Sequence, residues 1–222
     1  MKSVLQVNIE PHQFRSRDTI AGDAALDFVN TVTGRDQSPR DWLDSYARLL
    51  EWAAFVQLVP KSVLRALAKK AQKNPAAAGI ALARAKVLRE ALFGLVTRVI
   101  SRRAPPKSAL ALLREHWITG IKAHELRFRD GRVLVDLRND ALDFDLIASV
   151  VAYRMVQQVL PLPVDRLRIC HGSNCSWVFI DSSKAGRRRW CDMAVCGKCR
   201  QVSSLPCTFA KTSKHSTMMR NE

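Results

Sequence analysis

The residues of this chain best suited to chemistry are its cysteines, which are gathered near one end. All six lie within the last 53 residues, and residues 1–169 contain none. They are Cys170, Cys175, Cys191, Cys196, Cys199 and Cys207. The first two are separated by four residues, the next two are also separated by four, and fifteen residues lie between these two pairs.

Two cysteine pairs with this spacing predict a metal site. A thiolate pair can curl around one ion, and two pairs complete a tetrahedron around Zn²⁺. The predicted ligands are Cys170, Cys175, Cys191 and Cys196. Because four thiolates leave no open coordination position, we expect one structural zinc ion and not a catalytic one. Metal binding would also supply much of the stability of a segment too short to fold on apolar burial alone.

The remaining cysteines leave two alternatives open. Residues 196–199 read Cys-Gly-Lys-Cys, a CxxC sequence that is compatible with a redox pair, although the βαβ pattern typical of such pairs is missing. Cys199 is also an alternative to Cys196 as the fourth ligand. His171 is adjacent to Cys170, and since neighbours in sequence rarely reach the same ion, we interpret it as a bystander.

A basic run lies between the two cysteine pairs. Residues 184–190 read Lys-Ala-Gly-Arg-Arg-Arg-Trp, and residues 161–222 carry 11 Lys and Arg against 4 Asp and Glu in a chain of net charge +16. This asymmetry favours a nucleic acid as partner, because arginine forks fit phosphate oxygens. The predicted contacts are Lys184, Arg187, Arg188, Arg189, Lys198 and Arg200. Alternatively, these cations balance a zinc–tetrathiolate centre of about −2, and Trp190 packs inside the module.

The elements that must position these residues are mostly helical. Ser38-Pro39-Arg40-Asp41 predicts a helix start with Ser38 as N-cap. One apolar stripe follows it, made of Trp42, Leu43, Tyr46, Leu49, Leu50 and Ala53. Asn74-Pro75 is interpreted as a linker before a second helix, which Pro105-Pro106 ends.

The pattern changes to alternation around Asp130-Gly131, which predicts a β-hairpin. Residues 142–160 are apolar on most sides, as is typical of a helix at the centre of a domain. The fold class is therefore α+β and mostly α: a helical N-terminal domain with one β-hairpin, followed by a small four-cysteine zinc module. We divide the chain into a flexible arm (1–18), the helical domain (19–160), the zinc module (165–202) and a flexible tail (203–222).

Two segments resemble known families. Residues 179–183 (Phe-Ile-Asp-Ser-Ser) and 188–197 (Arg-Arg-Trp-Cys-Asp-Met-Ala-Val-Cys-Gly), with the first cysteine pair upstream, resemble the CGNR zinc finger of bacterial proteins. Residues 26–31 (Leu-Asp-Phe-Val-Asn-Thr) resemble the opening motif of its usual companion, the ABATE domain, described as a stress-induced transcription regulator. The two resemblances together cover roughly residues 20–200. They imply a bacterial regulator with a zinc-binding, DNA-binding module.

The chain departs from that family pattern at one place. Where the family has Cys-Gly-Asn-Arg, residues 196–199 read Cys-Gly-Lys-Cys, and Arg200 stands one place late. The family commonly continues into a basic helix, whereas residues 201–206 are nearly uncharged and end at Pro206. The cysteine spacing survives, so metal binding is a safer expectation than DNA binding.

Several other classes of protein are disfavoured. We find no glycine-rich phosphate loop, no serine elbow and no metal-type spacing among the five histidines, so an enzyme is not expected. No apolar run approaches the roughly 18–20 residues of a membrane helix. The N-terminus lacks the apolar stretch of a secretory signal. We therefore expect a cytoplasmic protein with no membrane partner.

The sequence supports two hypotheses for function. In the first, a bacterial transcription regulator binds DNA through its zinc module, with RNA as an alternative nucleic acid. In the second, zinc stabilises a protein-interaction or oligomerisation module, for example in a homo-oligomer. In the helical domain, Asp27 and Asn30 lie three residues apart and could line a ligand pocket, but we favour a role in tying backbone segments together.

Overall fold

The computed structural model describes residues 7–138 and 140–198. Its α-helices are α1 (Ala24–Val29), α2 (Tyr46–Phe55), α3 (Lys61–Lys73), α4 (Pro75–Ile100), α5 (Lys107–Lys122) and α6 (Leu146–Arg154). Its strands are β1 (Asn8–Ile9), β2 (Val32–Thr33), β3 (Arg40–Asp41), β4 (His124–Arg129), β5 (Arg132–Leu137), β6 (Leu167–Ile169) and β7 (Val178–Ile180). The predicted class, mostly helical with a four-cysteine module, is confirmed. The predicted tail, Cys199, Arg200 and Cys207 lie outside the described residues.

The strands form three small sheets. In the first, β3 lies between β1, to which it is parallel, and β2, to which it is antiparallel. The second is the predicted hairpin β4–β5, which turns at Asp130 and Gly131 with positive φ values of 51° and 74°. The third is the antiparallel pair β6–β7, which leads into the cysteines. None of the described helices is both long and apolar enough to cross a membrane.

Helix α6 lies at the centre of the core, as its all-round apolar pattern predicts. Residues Leu146–Ala152 are all buried, and one π-helical turn, Met155–Val159, continues the helix. Helices α1, α2, α4 and α5 pack against it. The same apolar core continues into the C-terminal segment through Trp177, Val178 and Phe179. The zinc module therefore shares its hydrophobic core with the helical domain.

The predicted helix start at Ser38 is wrong. Arg40 and Asp41 form strand β3 instead, and helix α2 begins at Tyr46 with Ser45 as N-cap. The Ser45 hydroxyl accepts a hydrogen bond from the Arg48 amide at 3.1 Å. The local cap signal is overridden because the Asp41 carboxylate is held by an ion pair with α4. The predicted apolar stripe is nevertheless buried.

The described part of the predicted flexible arm is packed against the domain. Strand β1 pairs with β3, and the His12 ring stacks on Trp42 with 3.7 Å between ring centroids. Asp18 is buried, and its carboxylate accepts a hydrogen bond from the Arg15 amide at 2.7 Å. The segment is held by backbone pairing and ring stacking. Neither interaction requires a regular spacing of apolar residues, so the sequence pattern alone predicted a flexible arm.

The interpreted linker at Asn74-Pro75 is a direct junction between two helices. Asn74 ends α3 and is the N-cap of α4, where its side-chain oxygen accepts a hydrogen bond from the Ala77 amide at 3.0 Å. Pro75 occupies the first position of the helix, where its missing N–H has no helical partner to lose. Helix α4 ends before Pro105-Pro106, as predicted.

One buried ion pair holds β3 against α4. The Arg89 guanidinium donates to both Asp41 carboxylate oxygens, at 2.8 and 2.9 Å, and to the Thr31 hydroxyl at 3.0 Å. The Lys86 ammonium lies 2.9 Å from the same carboxylate. Burial alone would raise the pKa of Asp41, but the hydrogen bonds and charge of Arg89 outweigh it and keep that pKa below its usual value. The pair is therefore charged at neutral pH.

We expect Arg89→Met to lower the free energy of unfolding by about 3–5 kcal/mol, because it leaves the Asp41 carboxylate buried without its main partner. Urea denaturation followed by circular dichroism at pH 7 measures the loss. The matched control is Arg138→Ala, which breaks the exposed pair with Asp140 and is expected to leave the free energy of unfolding near the wild-type value. Equal losses in the two variants would contradict the structural role of the buried pair.

Candidate metal centre

Two short elements present the four cysteines. Cys170 directly follows β6, and its amide donates to the carbonyl of Trp177 at 2.7 Å, which closes the turn that carries Cys175. Cys196 lies in a π-helical turn, Met193–Gly197, whose N-cap is Asp192. The Asp192 carboxylate accepts hydrogen bonds from the amides of Ala194 and Val195, at 2.6 and 3.2 Å. A strand turn and a helical turn thus each hold one end of the ligand set.

The structure brings together the four cysteines predicted as ligands. Their sulfur atoms all lie within 4.8 Å of one another, and all four residues are buried. Cys191 Sγ lies 3.8 Å from Cys175 Sγ and 3.7 Å from Cys196 Sγ. A tetrahedron with Zn–S bonds of about 2.3 Å has edges of about 3.8 Å, whereas a disulfide needs about 2.05 Å. The observed spacing fits tetrahedral zinc and excludes disulfides among the four.

Backbone groups complete the surroundings of the sulfurs. The amides of Gly172 and Cys191 point to Cys170 Sγ, at 3.4 and 3.3 Å. A Cβ atom on Gly172 would lie 2.8 Å from the Cβ of Cys196, so the position has no room for a side chain. His171 is exposed and uses its amide to bond the carbonyl of Arg189 at 2.9 Å. It is not a member of the cluster, as the sequence analysis expects.

The pKa values of the clustered thiols depend on hydrogen bonds among them, and these bonds explain why a cation is favoured at the centre. Hydrogen bonds from the other three thiols lower the pKa of Cys170, whereas donation toward Cys170 raises the pKa values of Cys175 and Cys191. Without a cation, most of the four buried thiols must stay protonated, because several buried thiolates would repel one another and lack solvation. Zinc, when bound, replaces those protons and neutralises part of the charge of four thiolates. Because no coordination position stays open, its role is structural.

The predicted basic run lies on a loop that we call the basic loop, residues 181–190. Asp181 anchors its start: the fully buried carboxylate accepts hydrogen bonds from the Ser183 hydroxyl at 2.6 Å and from the Arg188 amide at 2.7 Å. Burial alone would raise the pKa of Asp181, but these hydrogen bonds keep it below its usual value. The loop is therefore closed on itself by a carboxylate at its base.

The structure separates the predicted contact residues into two groups. Lys184, Arg187, Arg189 and Lys198 are exposed. Arg188 is half-buried, donates to the carbonyl of Cys191, and places its guanidinium 4.9 Å from the centroid of the Phe179 ring. Its guanidinium is thus already engaged inside the module, and its assignment as a phosphate contact stays a prediction. Trp190 is half-buried and packs against the core.

Sequence reasoning missed two arginines that hold the basic loop from strand β6. Arg166, just before the strand, donates to the carbonyls of Asp181 and Ser183, at 3.2 and 2.8 Å. Arg168 donates to the carbonyl of Gly186 at 2.7 Å. The one available signal was their spacing, since residues two apart in an extended segment project from the same side.

Asn30 serves the backbone-tying role that the sequence analysis favours. It is buried, its amide nitrogen donates to the Val178 carbonyl at 2.9 Å, and its side-chain oxygen accepts from the Val178 amide at 3.0 Å. Asp27 also ties backbone, since it accepts from the Ala21 amide at 3.0 Å. Asp27 in addition lines a cavity of about 420 Å³ together with Arg154, and Asn30 is not among its lining residues.

The position of Asp27 predicts a pH-dependent stability. Burial raises its pKa to about 7, Asp23 and Asp18 add to the increase, and the Ala21 amide and Arg154 oppose it. Because the pKa is higher in the folded than in the unfolded chain, the folded state loses relative stability as pH rises through about 7. We expect the wild type to lose about 2–3 kcal/mol relative to Asp27→Asn between pH 5 and pH 8.

Urea denaturation of both proteins at several pH values, with zinc content verified at each, measures this difference. Asp165→Asn, at an exposed position, is the control and is expected to leave the pH profile unchanged. If the profiles of wild type and Asp27→Asn run parallel from pH 5 to pH 8, Asp27 does not titrate as described.

The sulfur geometry makes a prediction for metal content. We expect one zinc ion per chain and a gain of four reactive thiols on chelation, because zinc protects its ligands. Atomic absorption and thiol titration measure these two quantities. Cys175→Ser is expected to weaken zinc binding by more than about a hundredfold, and Cys207→Ser is expected to retain one zinc. Loss of zinc in Cys199→Ser with retention in Cys196→Ser would replace Cys196 in the ligand set.

Comparison with known proteins agrees with this geometry. Residues 22–159, more than half of the chain, match the family model ABATE, described as "Putative stress-induced transcription regulator". Residues 166–205, which include the four clustered cysteines, match the model of the CGNR zinc finger. A search of curated proteins finds no match. The chain therefore belongs to the ABATE family, and its C-terminal part is a CGNR zinc finger whose clustered cysteines form one structural zinc site.

Proposed function

We propose that this protein is a bacterial, cytoplasmic transcription regulator that binds DNA through its zinc finger. The observation that carries the proposal is a set of exposed cations around the zinc site: Lys184, Arg187, Arg189 and Lys198. None of these side chains makes an ion pair within the described residues. Exposed, unpaired Lys and Arg side chains are the groups that replace counterions along a phosphate backbone.

The basic loop holds its cations in place before any partner arrives. Asp181 closes the base of the loop, and Arg166 and Arg168 bond its carbonyls from the strand side. A loop that is already ordered loses less conformational entropy on binding than a mobile one. Arg187 and Arg189 therefore extend from a fixed frame on either side of the internally bonded Arg188.

Charge balance alone does not account for these cations. Residues 164–198 carry seven Lys and Arg and three Asp. A zinc ion bound by four thiolates contributes a charge of about −2, which leaves the finger with a net positive charge. Arg188 donates to the carbonyl of Cys191 and can therefore offset part of the negative charge of the zinc centre. The exposed cations remain available to a polyanion.

The polarity of the exposed surface favours a nucleic acid over a protein as the partner of the finger. Of the large apolar side chains in the described part of the finger, Met193 is the exposed one. Protein interfaces usually have an apolar centre. Because the thiolates fill the zinc coordination shell, the proposed role of the finger is binding and not catalysis.

The proposal predicts salt-dependent binding to duplex DNA. Fluorescence anisotropy with a 30-base-pair random duplex measures affinity from 50 to 300 mM salt. Replacing Lys184, Arg187 and Arg189 together by Gln is expected to reduce the slope of log affinity against log salt by about 2.7, which is about 0.9 for each lost phosphate contact. Zinc content and unfolding free energy are expected to stay near the wild-type values, because all three side chains are exposed.

The matched control replaces three exposed cations at the α4–α5 junction by Gln: Arg102, Arg103 and Lys107. This control is expected to keep most of the salt slope. Salt-independent binding, or an equal loss of slope in both triple variants, would exclude the basic loop as the DNA contact. Tighter binding to a single-stranded or duplex RNA of the same length would replace DNA by RNA as the partner.

A further inference from the structure

A second candidate site lies in the helical domain and shares no residue with the zinc centre. A cavity of about 710 Å³ opens between α4, α5 and the segment that leads into α6. Ile80 and Val87 from α4 and Leu112 from α5 form its apolar side. Pockets that bind small molecules typically measure about 300–1,000 Å³ and combine apolar walls with a few polar groups. The cavity has the dimensions of such a site.

One fully buried polar side chain in the cavity wall lacks a partner. Ser149 on α6 is fully buried, and its hydroxyl makes no hydrogen bond in the described structure. His116 on α5 is 8% exposed and makes no ring hydrogen bond within the described residues, and its ring nitrogens stay within reach of solvent or a ligand. A buried polar group without a partner costs about 1–3 kcal/mol, so such groups are rare unless a ligand or water bonds them. The Ser149 hydroxyl is such a group, and its place in this wall points to a ligand.

The charges around the cavity indicate which ligand fits. The carboxylates of Glu115 and Asp143 line it and make no ion pair within the described chain. Asp145 lines it as well, but both of its oxygens accept from the Arg84 guanidinium, at 3.0 and 2.6 Å. Two unpaired carboxylates at one cavity stand out in a chain of net charge +16. They make the cavity more favourable for a cation than for an anion.

The buried histidine is consistent with a cationic ligand. Burial lowers the pKa of His116, while Asp145 and Glu115 oppose the shift and Arg84 adds to it. At neutral pH the ring is therefore neutral and offers one nitrogen as a hydrogen-bond acceptor. A neutral imidazole and a hydroxyl can both accept from the N–H groups of an ammonium ion without adding positive charge.

We propose that this cavity binds a small amphipathic organic amine in its protonated form. The ammonium group lies toward Glu115 and Asp143 and donates to His116 or Ser149. The apolar part of the amine packs against Ile80, Val87 and Leu112. None of the residues that line this site belongs to the zinc finger.

Binding of 2-phenylethylamine to the zinc-loaded full chain tests the proposal. Isothermal titration calorimetry and thermal unfolding are expected to show saturable binding with a Kd below about 1 mM, and 3-phenylpropionate, of similar size and opposite charge, is expected to bind at least tenfold more weakly. The double variant Glu115→Gln/Asp143→Asn is expected to lose at least tenfold in amine affinity. The matched control Asp130→Asn, at the exposed hairpin turn, is expected to bind like the wild type.

Ser149→Ala separates a binding role from a structural one. Removing an unpartnered buried hydroxyl is expected to leave the melting temperature of the free protein unchanged or to raise it, while amine affinity falls at least threefold. No binding of the amine at 10 mM, or equal binding of amine and carboxylate, would overturn the proposal. So would an affinity that neither the double variant nor Ser149→Ala changes, since the amine would then bind elsewhere.

Discussion

Four buried sulfur atoms within 4.8 Å of one another impose the strongest physical constraint on this molecule. They cannot all ionise side by side without a cation, yet ionised thiolates are what zinc binds. The surrounding chain meets this demand with amides directed at Cys170, with a glycine where a side chain would collide with Cys196, and with Arg188 near the centre. The basic loop ends at Trp190, directly before Cys191, so its C-terminal end is fixed by the same constraint.

The metal centre is also continuous with the helical domain. The amide of Ile180 donates to the carbonyl of Ala21 at 2.8 Å, and the amide of Gly34 donates to the carbonyl of Cys175 at 3.1 Å. The core of the helical domain runs on through Trp177 and Phe179 to the cysteines. Helix α4 contacts both β6 and β7, and it also carries Arg89 and one wall of the proposed amine cavity. Helix α4 thus links the strands of the zinc finger to the buried ion pair and to the proposed cavity.

What the sequence predicted well depends on short-range chemistry. Cysteine spacing, the turn at Asp130-Gly131 and the helix ends at prolines are all settled within a few residues, so they can be read directly. The start of α2 could not be read in this way, because the strand at Asp41 depends on Arg89, 48 residues away. The sequence does not distinguish Arg188 from Arg187 and Arg189. Only the structure shows that its guanidinium bonds the Cys191 carbonyl and lies over the Phe179 ring. The DNA contact and the roles of Cys199 and Arg200 stay predictions.

The segment Leu26–Thr31 shows what the ABATE motif does physically. Each of its polar side chains bonds a different part of the molecule: Asp27 holds the Ala21 amide, Asn30 pairs with Val178 in β7, and Thr31 accepts from Arg89 on α4. Its apolar residues are buried between them. Asn30 acts as an extra strand residue toward the zinc finger, since it offers one donor and one acceptor, as a backbone peptide does. An aspartate there could accept from the Val178 amide but not donate to its carbonyl, so the contact with the finger requires the amide side chain.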